Sequence, residues 1–260
     1  MKIATFNINN VQRRLPVLLA WLKQAKPDIV CLQELKAAHE AFPGTAIEGA
    51  GYHFVHRGEK TWNGVAILAR GARPVLTRME LPGDPNDRQS RYIEAAVKGI
   101  LVASIYLPNG NPQPGPKFAY KLAWFDRLIK HAASLKRSKQ PVILAGDYNV
   151  IPEPIDCHDP KAWADDALFQ PESRRAFRAL LHQGLTDAFR ALHPDQARAY
   201  TFWDYQRGAF QLDHGIRIDH LLLSAMAADR VTACVIDKEP RRRPRASDHT
   251  PVIVTLEDRP

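Results

Sequence analysis

The sequence predicts an α/β (α+β) fold: a four-layer α/β sandwich in which two packed mixed β-sheets are flanked by helices. Three observations carry that expectation. Two amphipathic helical stretches are each followed by a short apolar run of the kind found in a strand buried on both faces, Ile29-Val30-Cys31-Leu32 and Val142-Ile143-Leu144-Ala145. Most other apolar runs are joined by short Gly/Pro/Asn turns rather than crossover helices, which favours mixed sheets over a doubly wound parallel one. No linker is long enough to separate one folding unit from another, so residues 1–260 are expected to form one domain.

Residues 2–8 begin as an apolar strand and end among Asn7, Asn9 and Asn10. Leu15, Leu18, Leu19, Leu22 and Ala25 then follow the spacing of an amphipathic helix, in which Pro16 fits only the first turn. Lys26-Pro27-Asp28 stops that helix, and the strand after it finishes at Gln33-Glu34. Strands are expected at 64–69, 91–97 and 100–107. Phe118, Leu122, Phe125, Ile129 and Ala132 mark a second helix, which the run 136–141 breaks before the strand that ends at Gly146-Asp147-Tyr148-Asn149. Residues 151–173, rich in Pro, Asp and Trp, read as an ordered functional loop. Strands at 218–223, 231–236 and 252–256 complete the set. Each helix-then-strand unit delivers a carboxylate at a strand end, which hints at two similar halves.

The 260 residues carry 36 Lys+Arg against 28 Asp+Glu, a net charge of +8, and the pI is about 9.5. Apolar residues at 45% and charged residues at 25% are ordinary globular usage, which excludes collagen, coiled-coil and low-complexity readings. No stretch approaches the roughly 18 apolar residues of a membrane span, and the start carries no signal-like segment, so a soluble cytoplasmic protein is expected. Cys31, Cys157 and Cys234 form no close pair, so neither a disulfide framework nor a thiolate zinc site is indicated. The positive excess favours a polyanionic partner, nucleic acid ahead of an anionic membrane surface, although a merely soluble basic protein fits the same figure.

Oxygen- and nitrogen-bearing residues cluster at strand ends. Glu34 closes an apolar strand where a hard cation such as Mg²⁺ finds carboxylate ligands, yet alone it reads equally as a solvated Glu. Asp147 and Asn149 point the same way from a strand end, one able to deprotonate a water and the other to hold a phosphate oxygen; a bare Asx turn fits the pair as well. Asp219 opens a strand and His249 precedes another, on a possible neighbouring strand, an arrangement by which a carboxylate fixes a histidine tautomer. No Gly-rich phosphate loop, H-E-x-x-H, G-x-S-x-G or thiolate quartet is present. What remains suits metal-assisted phosphoester hydrolysis.

Taken in order, IATFNIN, DIVCLQE, GVAIL, SIYLPNG, ILAGDYNV, TFWDY, RIDHLLLS and SDHTPV resemble the motifs of the endonuclease/exonuclease/phosphatase superfamily. Within it, the chain resembles the exodeoxyribonuclease III class of apurinic/apyrimidinic (AP) endonucleases over residues 2–256. The resemblance implies a monomeric DNA repair nuclease dependent on Mg²⁺ or Mn²⁺, cutting 5′ to abasic sites in duplex DNA and acting on 3′ ends as exonuclease and phosphodiesterase. It implies that Glu34 is the principal metal ligand, with Asn7 beside it and Asp248 as a supporting carboxylate. Asp147 would orient or deprotonate the attacking water, with Asn149 holding Asp147 and a phosphate oxygen. Tyr106 would direct its hydroxyl at the phosphate with Asn109 nearby, and His249, oriented by Asp219, would bind the scissile phosphate.

On the DNA side, the resemblance puts Trp203 beside the abasic-sugar pocket, while Phe202 reads as core. Arg242, within Arg241-Arg242-Arg243-Pro244-Arg245, lies close before the Ser247-Asp248-His249 motif and is placed to contact phosphates; Arg91 and Arg174 are weaker candidates. His158 is either a surface histidine or, as the resemblance implies, a DNA-facing residue that tunes abasic-site cleavage against exonuclease activity. Two rival readings stand beside this one: a same-fold phosphoesterase acting on inositol phosphates or lipid head groups, and a non-catalytic DNA-binding module.

Overall fold

A computed structural model describes residues 1–138 and 140–258, so Lys139 of the expected helix breaker lies outside the described residues. Strands are numbered in chain order. The first sheet runs β11 (Val231–Ile236), β12 (Val252–Leu256), β1 (Lys2–Asn7), β2 (Ile29–Gln33), β4 (Val65–Arg70), β3 (Tyr52–Arg57). The second runs β5 (Val75–Arg78), β6 (Tyr92–Val97), β7 (Ile100–Tyr106), β8 (Val142–Asp147), β10 (Asp219–Leu223), β9 (Thr186–Asp187).

Near the centre of each sheet lies one parallel pair, β1 with β2 and β7 with β8; the other described pairings are antiparallel. Parallel neighbours need a crossover, and the two amphipathic helices supply it. α1 (Leu15–Ala25) returns the chain from β1 to β2, with Pro16 in its first turn and Lys26 in the left-handed conformation (φ +47°) at its end. Helix α2 (Gly44–Gly49) precedes β3. α3 (Pro116–Leu135) links β7 to β8 and buries Trp124, Phe125, Leu128 and Ala132. The two halves that the sequence hints at are these βαβ units.

The layers follow from which residues share a face. Ile3, Ile29, Ile67 and Val254 of the first sheet pack against Ile93, Val102, Ile143 and Leu221 of the second, forming the apolar layer between the sheets. Leu18, Trp21 and Leu22 of α1 cover the outer face of the first sheet. Trp124, Phe125 and Leu128 of α3, with Phe177 and Leu180 of α4 (Pro171–His182), cover the other. The result is the expected helix–sheet–sheet–helix sandwich. Short helices α5 (Ala188–Leu192) and α6 (Ala225–Ala228) complete the chain. Strands β3, β5 and β9 and helices α2, α4, α5 and α6 were not expected. The loop expected over 151–173 gives way to α4 at Pro171 and carries a short 3₁₀ turn at Pro154–Asp156.

Candidate active site

The two βαβ units end at a common edge. Asn7 is the last residue of β1 and Glu34 follows β2; Tyr106 ends β7 and Asp147 ends β8. Asp219, the first residue of β10, lies in register opposite Asp147. His249 precedes β12, which belongs to the first sheet, so the Asp219–His249 pair spans the two sheets rather than neighbouring strands of one. That corrects the expected arrangement: adjacent strands were not needed, because the sheets face each other closely enough for side chains to meet.

Asn7 joins the halves. Its buried Nδ2 donates to Glu34 Oε1 and to Asp147 Oδ2, both at 2.9 Å. The backbone N–H of Asn149 donates to the other oxygen of Asp147 at 2.8 Å, and His249 Nε2 stands 3.8 Å from Asp147 Oδ2. His249 Nδ1 meets Asp219 Oδ2 at 2.8 Å, while Asp219 Oδ1 is buried with no hydrogen-bond partner among the described residues. Burial, with the Glu34 carboxylate nearby, holds the Tyr106 hydroxyl well above its ordinary range, so it keeps its proton. Glu34 and Asn149 adopt φ of +51° and +47°, uncommon for residues with a Cβ and a form of strain that collects at functional sites.

The charges are set by burial and neighbours. Burial alone would keep His249 neutral, but the Asp219 carboxylate, with Asp147 and Asp248, pushes it up to about 10, so it is a cation at neutral pH. Burial raises the Asp147 carboxyl above the usual carboxylate range against the pull of His249, and Asp219 and Glu34 raise it further. A carboxylate so raised is poised to accept a proton near neutrality. Glu34 moves the other way: burial opposes it, but Lys36 and the Asn7 amide hold it below the usual range.

Ligand atoms of Glu34, Asp147 and His249 lie within 4.8 Å of one another. Glu34 and Asp147 are two carboxylates with no thiolate beside them among the described residues, a hard donor set that fits Mg²⁺ or Mn²⁺; Asn7 turns its amide nitrogen to both, its Oδ1 accepting from the Asn9 N–H at 3.1 Å. Asp248 stands outside that group of three. It lines the same cavity, but its Oδ1 accepts from Asn9 Nδ2 at 2.9 Å and from Ser247 Oγ at 3.3 Å. Asn9 in turn accepts from Lys36, whose Nζ lies 2.7 Å from Glu34 Oε2. Sequence reasoning assigned no role to Lys36 or Asn9; their nearness to Glu34 and Asn7 along the chain was the available signal.

A third missed residue supports the site from beneath. Lys121 of α3 is fully buried, and its ammonium donates to the backbone carbonyls of Asn149 and, at 3.0 Å, Asn109. The side chains of these two residues meet as well, Asn109 Nδ2 donating to Asn149 Oδ1 at 3.2 Å. Gly110 (φ +93°) makes room for it, since a Cβ there would stand 2.7 Å from Lys121 Cδ. Gly146 is required beside Asp147 because any Cβ would strike the Ile105 carbonyl of β7.

The site opens into a cavity of about 230 Å³ lined by Glu34, Tyr106, Asp147, Asn149, Phe202 and His249 among others. A cavity of about 490 Å³ shares Tyr106, Asn109 and Asn111 with it, and one of about 460 Å³ shares Trp163, Asp166 and Phe202. The three form a continuous groove through these shared walls.

Several DNA-side expectations change here. Trp203 does not flank the groove: it is fully buried, its indole N–H donates to Asp213 Oδ1 at 3.1 Å, and its ring packs on Tyr200 and Phe210. Phe202, expected in the core, lines the groove instead, its ring centroid 5.0 Å from that of His249. Neighbours in an extended segment point to opposite sides, and the sequence alone did not say which side faced the site. Arg174 also turns away. Its guanidinium donates to Pro152 O and Glu153 and rests on the Phe169 ring, so its charge is spent within the protein. Arg91 lies over the Tyr106 ring at 4.7 Å and lines the 490 Å³ cavity. Arg242 pairs with Glu239 and lines a separate cavity of about 670 Å³ that shares no lining residue with those three. His158 stacks on His214 in the wall of the 460 Å³ cavity, ring centroids 4.7 Å apart.

Comparison with known proteins agrees with this geometry. The chain is 34% identical over 263 residues to exodeoxyribonuclease III of Haemophilus influenzae, covering 97% of this chain and 98% of that one. It superimposes with a TM-score of 0.93 on an AP endonuclease from Archaeoglobus fulgidus, 37% identical, covering 99% of this chain and all of that one. The 3′ phosphatase NExo from Neisseria, solved bound to a product DNA hairpin, gives a TM-score of 0.94 at 39% identity, with 99% of each chain covered. With residues 4–249 also matching its family profile, the chain belongs to the Endonuclease/Exonuclease/phosphatase family.

Proposed function

We propose that this nuclease is a divalent-metal-dependent DNA repair enzyme that hydrolyses the phosphodiester 5′ to abasic sites in duplex DNA and removes nucleotides or blocking groups from 3′ ends. The observation that carries the reading is the Asn7 amide bridging Glu34 and Asp147 beside the His249 imidazolium, at the centre of a groove. When bound, Mg²⁺ or Mn²⁺ at Glu34, with Asn7 and Asp248 beside it, supplies positive charge to a non-bridging phosphate oxygen and to the departing 3′ oxygen. Asp147, fixed by Asn7 and the Asn149 N–H, orients a water and takes its proton. The water oxygen bonds to phosphorus, the P–O3′ bond breaks, and the 3′ oxygen leaves as a hydroxyl after taking a proton from solvent. His249, held by Asp219, faces the charge that builds on the phosphate, together with the Tyr106 hydroxyl and the amides of Asn109 and Asn149. The whole chain acts as one catalytic domain, a cytoplasmic monomer; among the described residues no helix is long and apolar enough to cross a membrane.

A duplex with a single abasic site, incubated with Mg²⁺ or with chelator, tests this. Nicking on the 5′ side in Mg²⁺ alone is expected. Asp147→Asn and His249→Asn should each lower kcat at least about a hundredfold while duplex affinity holds. Retained turnover with lost binding would remove both residues from the chemistry.

A further inference from the structure

Lys121 stands where packing alone would put an apolar side chain. It shares the buried face of α3 with Trp124, Phe125 and Leu128, at the spacing of an amphipathic stripe, and its side chain is fully buried. Removing an ammonium from water is costly; burial pulls this one down, while Asp147 and Asp166 pull it back up. A leucine or methionine would fill the same space without that cost. A residue that breaks the local rule in an otherwise consistent helix marks a functional constraint.

What the ammonium holds identifies the constraint. It donates to the carbonyl of Asn109, in the β7–α3 loop, at 3.0 Å, and to the carbonyl of Asn149, just past β8. Asn149 has φ +47°, and residues held in such conformations persist only where their surroundings over-determine them. Its own N–H reaches back to Asp147 Oδ1 at 2.8 Å, so the turn that Lys121 grips also sets the direction of the Asp147 carboxylate. Asn149 Nδ2 donates to Leu107 O at 2.8 Å, and its Oδ1 accepts from Asn109. The two loops are thus tied into one body with the ammonium beneath them.

We propose that Lys121 is a positioning residue of the nuclease reaction. It touches neither the water nor the phosphate. Through the Asn149 carbonyl it keeps the left-handed turn that aims Asp147 at the water, and through the Asn109 carbonyl it keeps the neighbouring amides in place. The inference rests on the nuclease reading above and adds a residue to it. The crossover helix of the second βαβ unit is therefore part of the reaction apparatus as well as a cover for the sheet.

The test compares Lys121→Met with the native enzyme on a duplex carrying one abasic site, in Mg²⁺, at a temperature where circular dichroism shows both folded. kcat should fall about a hundredfold with KM within about twofold, since a misplacement of about 1 Å is enough for such a loss. In an Asn149→Ala background the same substitution should cost about threefold or less, because residues that act through one another do not add. In substrate-free, ¹⁵N-labelled protein the side-chain amide signals of Asn109 and Asn149 should shift. If Lys121→Met does not fold, Lys121→Gln, which still offers a donor to one carbonyl, replaces it with an intermediate loss expected. Undiminished kcat in the variant, full additivity with Asn149→Ala, or unmoved amide signals would overturn the positioning role and leave the nuclease reading standing. Native enzyme that leaves the duplex intact while the amides shift would overturn that reading, and the role with it.

Discussion

Phe202 and Trp203 are neighbours with opposite duties, and substituting each separates them. Trp203 is fully buried and hydrogen-bonded, so Trp203→Ala should cost about 3–5 kcal/mol of stability, measured by urea unfolding. Phe202 is half-buried, and its ring leans on His249 at the groove wall, so Phe202→Ala should cost about 1 kcal/mol or less while cleavage at an abasic site falls about tenfold. A large loss of stability from Phe202→Ala would show the two roles to be exchanged. The same scale shows what could be read from the chain alone. Asn7, Glu34, Tyr106, Asp147, Asn149, Asp219 and His249 stood out as polar residues at the ends or mouths of apolar strands, set in motifs whose order resembled the family's, and the structure brings them to one edge. Lys121 did not stand out: on a helix that also carries Lys117 and Lys130, nothing local tells the one lysine that turns inward from those that turn to water. Its burial is decided by where the carbonyls of residues 109 and 149 lie, which is tertiary information.

Among elements, the segment 151–170 and the β9–β10 edge are stitched together by Arg217. Its guanidinium donates to Asp156 (Nε to Oδ1, 2.6 Å) and to Asp187 (Nη1 to Oδ2, 2.8 Å), and all three side chains are buried. Burial opposes ionisation of Asp156, yet Arg217 and Arg190 hold its carboxyl below the usual range; Arg217 and His220 do the same for Asp187. Lowered folded values mean that this stabilisation is complete above the ordinary carboxylate range and is lost as pH falls through them. Arg217→Met should destabilise the fold by about 3–5 kcal/mol at neutral pH, because it leaves the buried Asp187 carboxylate without its guanidinium, while Arg190 keeps Asp156 paired. The Asp187 carboxyl would then sit above the usual range, and the variant should gain stability as pH drops from 7 toward 5, a window in which the native pairing is complete. Urea midpoints at several pH values check both. Arg217 lies two residues before Asp219, so the same stitch fixes the start of β10.

Strands such as β2 and β8 were legible because every residue before their last, Gln33 and Asp147, is apolar or small and both faces are covered. β3 was not, because His53, His56 and Arg57 blur its alternation; β5 is short and wholly exposed on the sheet edge. The amphipathic face of α4 was hidden by its arginines and by the irregular run before it.

For the whole molecule, the net charge of +8 hides how the cations are used. Arg174, Arg190 and Arg217 are spent on internal partners, whereas Lys117 is exposed and lines the groove. Duplex affinity should fall steeply with salt, and each lost phosphate contact should reduce the log–log slope by about 0.9. Lys117→Gln is expected to lower the slope by one such step and Arg174→Gln to leave it unchanged. Fluorescence anisotropy across a salt series, in chelator, distinguishes them.

The reach of Asn7 from one sheet to the other also governs how the enzyme fails. Its amide grips Glu34 and Asp147 at 2.9 Å each, and a slip of either parallel ladder by a single residue, about 3.3 Å, would release one of them. Loosening the sandwich without melting either sheet would silence the site while circular dichroism still reports a folded protein. Loss of turnover is then the earliest alarm of damage, ahead of any change in secondary structure.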